Sequence, residues 1–101
     1  MQEYWEFPGG KIHNDESPLA ALQRELAEEL GIQVTQSEFF CSTNHDYPDL
    51  NVAIEFFLVR DWQGEPAGKE GQKLKWVSID DLNVETVLPA DAPVIDRLKT
   101  L

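Results

Sequence analysis

A helix with a marked beginning and a marked end is predicted over residues 18–30, and it limits the possible folds more than any other pattern here. Ser17 can accept a hydrogen bond from the first turn as N-cap, and Pro18 suits the first helical position. Gly31 stands where a left-handed C-cap residue belongs. Leucines recur between the caps at helical spacing, at Leu19, Leu22, Leu26 and Leu30. The pattern predicts an amphipathic helix that buries its leucine stripe.

The same helix carries an acidic stripe beside the leucines. Glu25, Glu28 and Glu29 stand at i, i+3 and i+4, so their carboxylates share one face. Such like-charged pairs destabilise a helix by about 0.2–0.5 kcal/mol each, unless a cation or a proton is shared. Hard divalent cations such as Mg²⁺ prefer oxygen ligands of this kind. A solvated acidic face is the alternative, because glutamate is also a good helix former.

Length, charge and cysteine usage restrict the class of protein. The chain has 101 residues, 42% of them hydrophobic, which suits a single domain over 1–101. Its net charge of −11 predicts no polymeric nucleic acid as partner, because nucleic-acid backbones are bound by Lys and Arg. No apolar run approaches the roughly 18 residues of a membrane span, so no membrane association is expected. A single cysteine, Cys41, favours a reducing, cytoplasmic environment.

Shorter patterns predict the remaining elements. The segment 52–59 is rich in β-branched and aromatic residues and is the clearest strand. The last residues place their apolar side chains on one helical stripe. The further expectations are strands at 34–42 and 74–77, loops at 44–51 and 64–71, one helical turn at 78–82 and an amphipathic helix at 93–101, with Trp62 and Trp76 as core or edge aromatics.

A pattern of fixed spacing surrounds the predicted helix. Counting from Gly10, Glu16 follows six residues later and Gly31-Ile32 closes the pattern. Between them lie the paired charges Arg24-Glu25 and Glu28-Glu29, with Leu26 in the hydrophobic position. The pattern resembles the Nudix box, a loop–helix–loop signature, with every defining position filled. The preceding Trp5-Glu6-Phe7-Pro8-Gly9-Gly10-Lys11 is similar to the MutT-like branch of that family.

Two later segments, 64–76 and 88–95, extend the resemblance to nearly the whole chain. The resemblance implies an α/β protein with the Nudix fold, an α/β/α sandwich around a mixed β-sheet. It implies a Mg²⁺-dependent hydrolase, with Mn²⁺ able to substitute, that cuts a nucleoside triphosphate to a monophosphate and pyrophosphate. In the MutT-like branch the substrate is oxidised dGTP (8-oxo-dGTP), which is removed from the nucleotide pool.

The resemblance also implies roles for the acidic residues. Glu25 and Glu29 would be the principal metal ligands, with Glu28 as a further ligand and the backbone carbonyl of Gly9 completing the shell. Glu70, on the glycine-rich loop, would be an additional ligand or a general base. Without the resemblance, a surface loop glutamate would be the preferred interpretation of this residue.

Arg24 is predicted to orient the acidic residues. Its guanidinium group is always charged and can donate to carboxylates in pairs. We expect it to pair with Glu16 or with a glutamate of the helix, and so to hold the catalytic helix against its loop. A solvent-facing arginine is the alternative.

The resemblance implies that the base of the nucleotide contacts two segments, Glu6-Phe7-Pro8-Gly9 and Tyr47-Pro48-Asp49. Phe7 or Tyr47 offers an aromatic face on which stacking of a base is worth about 1–3 kcal/mol. For Phe7, packing in the core is an equal alternative.

Asp91 departs from the family pattern, which has asparagine at this position. An ionised aspartate only accepts hydrogen bonds, from the amino and ring N–H groups of guanine or from the amino group of cytosine. It could donate to a 6-oxo group only when protonated. A broader choice of nucleotide is therefore open, and so is a role as helix N-cap before Ala92-Pro93.

Family members normally begin with a strand and a hairpin ahead of the loop at 5–10, whereas this sequence starts almost on that loop. We therefore expect a fold that is incomplete at its N-terminus, either as a fragment of a longer protein or as a homodimer in which a second chain supplies the edge. Two other functions stay open: a Nudix hydrolase of CTP, dCTP or nucleotide sugars, and a truncated nucleotide-binding module without turnover.

Overall fold

The computed structural model describes residues 4–101 and contains both helices and strands. Within residues 4–101, no helix has the length and hydropathy needed to cross a lipid bilayer. The α/β class predicted from the sequence is confirmed. In chain order the elements are helix α1 (Pro18–Leu30), strand β1 (Gln33–Tyr47), strand β2 (Leu50–Gln63), two 3₁₀ turns (Ile79–Asp81 and Val84–Thr86) and helix α2 (Ala92–Leu98).

The chain divides into two compact units. The α1 unit comprises residues 8–40 and 57–75, and the α2 unit comprises the described residues through 7, together with 41–56 and 76–101. Each unit has its own buried residues. The single domain expected from the chain length stays a prediction.

Helix α1 begins and ends where the sequence predicts. Ser17 Oγ accepts a hydrogen bond from the N–H of Ala20 at 3.1 Å, and Pro18 occupies the first turn. At the other end Gly31 adopts a left-handed φ of 70° and donates its N–H to the carbonyl of Ala27 at 3.1 Å. Residues with a Cβ adopt this conformation only at a cost, which explains the glycine.

The leucine stripe of α1 forms the core of the α1 unit. Leu26 and Leu30 are buried together with Ile32, which follows the helix. Burial of one such side chain contributes about 1.5–3 kcal/mol. The side chains packed against this cluster are partly buried and come from α1 and both strands: Leu22, Val34, Val59 and Trp62.

Strands β1 and β2 form a two-stranded hairpin with a two-residue turn at 48–49. A turn this short makes the pair antiparallel. The predicted strands at 34–42 and 52–59 are too short, and the predicted loop at 44–51 is wrong except for the turn. Polar residues near the turn belong to the strands because the backbone groups of each strand form hydrogen bonds with the other strand. A pattern of hydrophobic residues does not reveal this pairing.

The predicted strand at 74–77 is wrong, because these residues have no regular structure. Residues 71–80 are all exposed, so neither face of this segment packs on a core. Trp76, expected as a core or edge aromatic, is 78% exposed. Apolar residues alone do not predict a strand, because strand preference depends on the packing that the folded chain supplies.

The α2 unit is built around α2 and a single parallel bridge. Trp5 donates its N–H to the carbonyl of Thr86 at 2.8 Å and accepts at its own carbonyl from the N–H of Leu88 at 3.0 Å. Val94 and Ile95 of α2 are buried. The helix expected at 93–101 is confirmed but ends earlier, and the turn expected at 78–82 is the first 3₁₀ turn.

Candidate active site

Arg24 joins the loop before α1 to the acidic face of α1. Its Nε and Nη2 donate to the two carboxylate oxygens of Glu16, at 2.8 and 3.1 Å. Its Nη1 donates to Glu25 Oε1 at 2.7 Å and to Glu28 Oε2 at 3.4 Å. Nη2 also donates to the backbone carbonyl of Lys11 at 2.9 Å. The pairing predicted for Arg24 is therefore present, and it ties the loop to the helix.

The charges of this cluster shift one another's pKa values. Hydrogen bonds from Arg24, and then from the backbone N–H of His13, lower the pKa of Glu16 from 4.5 to about 2. The same contacts, with Glu16 and then with Glu25, raise the pKa of Arg24 above its usual value. Glu16 and Arg24 are therefore both charged throughout the neutral range, and Arg24 offsets part of the repulsion among the glutamates of α1.

Gly9 and Gly10 let the preceding loop approach two carboxylates of α1. The N–H of Gly9 donates to Glu29 Oε2 at 3.3 Å. A Cβ added at Gly10 would lie 2.5 Å from Cδ of Glu25, closer than any real Cβ contact, so only glycine fits without displacing that side chain. The loop backbone thus meets the two residues predicted as principal metal ligands.

The donor set around this loop fits a hard divalent cation, because it offers only carboxylate and peptide oxygens. In the part of the chain that the structure describes, no three acidic, histidine or cysteine side chains converge into a ready-made cation site. Glu25 and Glu28 face Arg24 instead, and Glu29 faces Gly9. The ligand roles of these glutamates and of Gly9 stay predictions.

Glu70 lies on the exposed loop that follows β2. Its backbone N–H donates to Gln72 Oε1 at 2.9 Å. The N–H of the preceding Lys69 donates to the carbonyl of Glu29 at 2.9 Å, at the C-terminal end of α1. The loop that carries Glu70 is thus fixed to the helix that carries the acidic face, while the role of Glu70 as ligand or base stays a prediction.

Asp91, in the α2 unit, is buried and only 8% exposed. Its Oδ2 accepts a hydrogen bond from the N–H of Phe7 at 3.1 Å. Burial raises its pKa above 3.8, and the nearby negative charge of Glu6 raises it too, whereas the Phe7 N–H acts in the opposite direction. Asp91 occupies the N-cap position of α2, as the second interpretation expects, but its side chain makes no capping hydrogen bond to the helix.

Phe7 packs against another aromatic ring, as the core alternative expects. It is half-buried and meets Phe56 edge to face, with centroids 6.2 Å apart and an interplanar angle of 82°. Its neighbours Glu6 and Pro8 are exposed. The roles of all three residues in base recognition stay predictions.

Tyr47 and Asp49 lie at the exposed tip of the hairpin. The Tyr47 ring packs against His45, with centroids 4.5 Å apart. Within the α2 unit a hydrogen bond joins Phe7 to Asp91, whereas among the described residues the ring contact of Tyr47 is with His45. The predicted roles of Tyr47 and Asp49 in substrate binding are untested.

The sequence pattern predicts no role for Gln72, although its side chain connects the end of α1 with the loop that carries Glu70. Its Nε2 donates to the carbonyl of Glu29 at 3.0 Å, while its Oε1 accepts from Glu70. Glu70 is two residues from Gln72, but Glu29 is 43 residues away, and glutamine in a loop carries no local signal that would reveal that distant partner.

Comparison with known proteins agrees with the sequence pattern. The chain matches the model of the NUDIX domain over residues 1–98. It is 46% identical over 101 residues to the 8-oxo-dGTP diphosphatase of Escherichia coli strain K12, covering all of this chain and 78% of that protein. It is 36% identical over 97 residues to the CTP pyrophosphohydrolase of the same strain, covering 96% of this chain and 72% of that protein.

A solved structure extends the likeness to the fold. It comes from work on the MutT proteins of Aliivibrio salmonicida and Vibrio cholerae, and superposes with a TM-score of 0.79 at 38% identity. The match covers 96% of this chain and 75% of that one. With its glycine loop, its charged helix and this match along nearly its whole length, the chain belongs to the Nudix family of hydrolases.

Proposed function

We propose that this chain is a MutT-type pyrophosphohydrolase that cleaves 8-oxo-dGTP, drawn from the free nucleotides of the cytoplasm, to the monophosphate and pyrophosphate. The observation that carries the proposal is the meeting of the Gly9-Gly10 loop with Glu25 and Glu29, beside the Arg24 cluster. The 46% identity to the Escherichia coli 8-oxo-dGTP diphosphatase supports this substrate over others.

The proposed reaction uses a divalent metal ion, as Nudix hydrolases do. We propose Mg²⁺, with Mn²⁺ as a substitute, held by Glu25, Glu28, Glu29 and the carbonyl of Gly9. When bound, such an ion neutralises phosphate charge and lowers the pKa of a bound water toward neutrality. That neutralisation matters here, because a protein with a net charge of −11 repels a triphosphate.

The residues of the chain supply the proton transfer and the orientation. Glu25 or Glu70 accepts a proton from the attacking water, whose oxygen bonds to a phosphorus atom as the bond to the pyrophosphate leaving group breaks. Arg24 holds Glu25 in place through the 2.7 Å hydrogen bond. Its rigid, paired donors suit this task better than a lysine would.

Asp91 is also compatible with a second base, cytosine. An ionised Asp91 can accept from the amino group of cytosine, as it can from guanine. One relative, 36% identical, is a CTP pyrophosphohydrolase. Cytosine triphosphates are therefore the second candidate substrates.

The direct test measures release of monophosphate and pyrophosphate from 8-oxo-dGTP, dGTP, CTP and dCTP, with and without Mg²⁺. We expect 8-oxo-dGTP to be cleaved most efficiently, and only in the presence of metal. Preferential cleavage of CTP or dCTP would assign the second candidate. Binding without release from any of the four would contradict hydrolysis and leave a nucleotide-binding module.

Replacement of Glu25 by Gln tests the site itself. The amide keeps the size of the side chain beside Gly10, so the fold should persist while kcat falls by about 10²–10⁴-fold. Glu55→Gln is the matched control, because Glu55 is an exposed glutamate of β2. Full activity of Glu25→Gln would remove Glu25 from the proposed machinery.

A further inference from the structure

The last turn of α1 is closed by the loop that follows β2. A helix leaves its final carbonyl groups without partners inside the helix. Here the carbonyl of Leu30 accepts from the N–H of Ala67 at 3.1 Å. The carbonyl of Glu29 accepts twice, from the N–H of Lys69 at 2.9 Å and from Gln72 Nε2 at 3.0 Å.

Both polar groups of the Gln72 carboxamide form hydrogen bonds. Its NH₂ group donates to the Glu29 carbonyl, and its oxygen accepts from the N–H of Glu70 at 2.9 Å. One side chain therefore spans the backbones of two residues that the proposed function places at the metal and at the attacking water. An amide both donates and accepts in this way, whereas an ionised carboxylate of the same size only accepts.

The loop has further attachments that do not need Gln72. Besides the backbone hydrogen bonds of Ala67 and Lys69, the Lys69 side chain lies over Gly31, with its Cε 2.5 Å from where a Cβ would stand. The loop should therefore stay on the helix when the Gln72 side chain is changed. What would be lost is the link between Glu29 and Glu70.

We propose that Gln72 is a positioning residue, whose carboxamide holds the backbone of Glu70 at a fixed place relative to the turn of α1 that carries Glu29. The proposal rests on the proposed function, in which both glutamates take part in catalysis. Gln72 acts through Glu70 and contacts no substrate atom. By fixing the backbone of Glu70, it determines which positions the Glu70 carboxylate can occupy.

The first test compares Gln72→Met and Gln72→Glu with wild type. Methionine removes both hydrogen bonds, and an ionised glutamate removes the donor while keeping the acceptor. We expect kcat to fall about 10–100-fold in Gln72→Met, the range seen when a supporting partner of a ligand is removed, with KM changed less than about threefold. Gln23→Met, at an exposed position of α1, is the control and should match wild type.

A double-mutant cycle with Glu70→Gln separates positioning from a general structural effect. If Gln72 acts through Glu70, the variant with both changes loses no more activity than Glu70→Gln alone. The proposal would be overturned if the kcat losses of the two single variants multiplied in the double variant. It would also be overturned if Gln72→Met raised KM and left kcat unchanged.

Amide hydrogen exchange gives a readout that does not depend on turnover. In Gln72→Met the Glu70 amide should exchange faster than in wild type, whereas the Lys69 amide, which bonds the Glu29 carbonyl, should keep its protection. Equal exchange of the Glu70 amide in both proteins would refute the bridge. If wild type cleaves no nucleotide, the proposed function fails, and this exchange still decides whether the bridge exists.

Discussion

Asp91 shows how a single position can link stability to pH. Among residues 4–101 it is the only charged side chain that is buried, and it accepts the N–H of Phe7. Its pKa is raised above 3.8, mainly by burial. The folded protein therefore holds a proton on Asp91 more tightly than the unfolded chain does. Linkage then lowers the free energy of unfolding as the pH rises from 3.8 through the raised pKa.

Replacing Asp91 by Asn should remove this decline. The amide oxygen can still accept from Phe7, but nothing titrates, so we expect the variant to be more stable than wild type at neutral pH and the difference to shrink toward acid pH. Urea unfolding at several pH values between about 4 and about 8 measures both free energies. Asp96→Asn, at an exposed position of α2, is the control and should have the same pH dependence of stability as wild type. If the free energies of unfolding of Asp91→Asn and wild type ran parallel across this pH range, the explanation would be contradicted.

Among the elements, the junction between α1 and its preceding loop depends on ion pairing. Arg24 bonds both oxygens of Glu16, whose side chain is 16% exposed, and this contact holds the loop to the helix. A second ion pair, between Arg60 and Glu38 on the hairpin, has both side chains more than half exposed. Exposed pairs contribute little because water screens them.

Glu16→Gln should therefore cost more stability than Glu38→Gln, and only within a defined pH range. Because the pKa of Glu16 is lowered from 4.5 to about 2, its stabilisation is complete above about 4.5 and is lost as the pH falls toward about 2. We expect Glu16→Gln to be less stable than wild type at neutral pH and equal to it near pH 2. Chemical unfolding across this range is the measurement. A constant difference at all pH values would show that charge is not responsible.

For the whole molecule, the excess of negative charge destabilises the folded state. The net charge of −11 on 101 residues makes the folded chain repel itself, and the effect is strongest at low ionic strength. Salt shortens the Debye length from about 30 Å at 0.01 M to about 8 Å at 0.15 M, so most of this repulsion is screened at physiological salt.

We expect the melting temperature to rise when NaCl is raised from about 0.01 M to about 0.15 M. A gain of about 1 kcal/mol would correspond to roughly 4–8 °C for a domain of this size. Differential scanning calorimetry at both salt concentrations measures it, and the rise should level off at higher salt, where screening is complete. A fall in melting temperature would show that the ion pairs around Arg24 outweigh the net repulsion.

The sequence by itself determined α1 and its two caps, and it limited the partners of Arg24 to Glu16 or a glutamate of the helix. These features depend on partners that are few residues apart, so spacing and residue type are sufficient to specify them. The family pattern from Gly10 to Ile32 lies on this helix and its flanking loops for the same reason.

The tertiary structure alone decided the features whose partners are distant along the chain. Phe7 and Asp91 are 84 residues apart, and Glu29 and Gln72 are 43 apart, yet each pair is joined by a hydrogen bond. The full length of β1 likewise depended on β2, the strand that pairs with it. A residue's own type limits which bonds it can make, but only the folded chain brings a donor and an acceptor together.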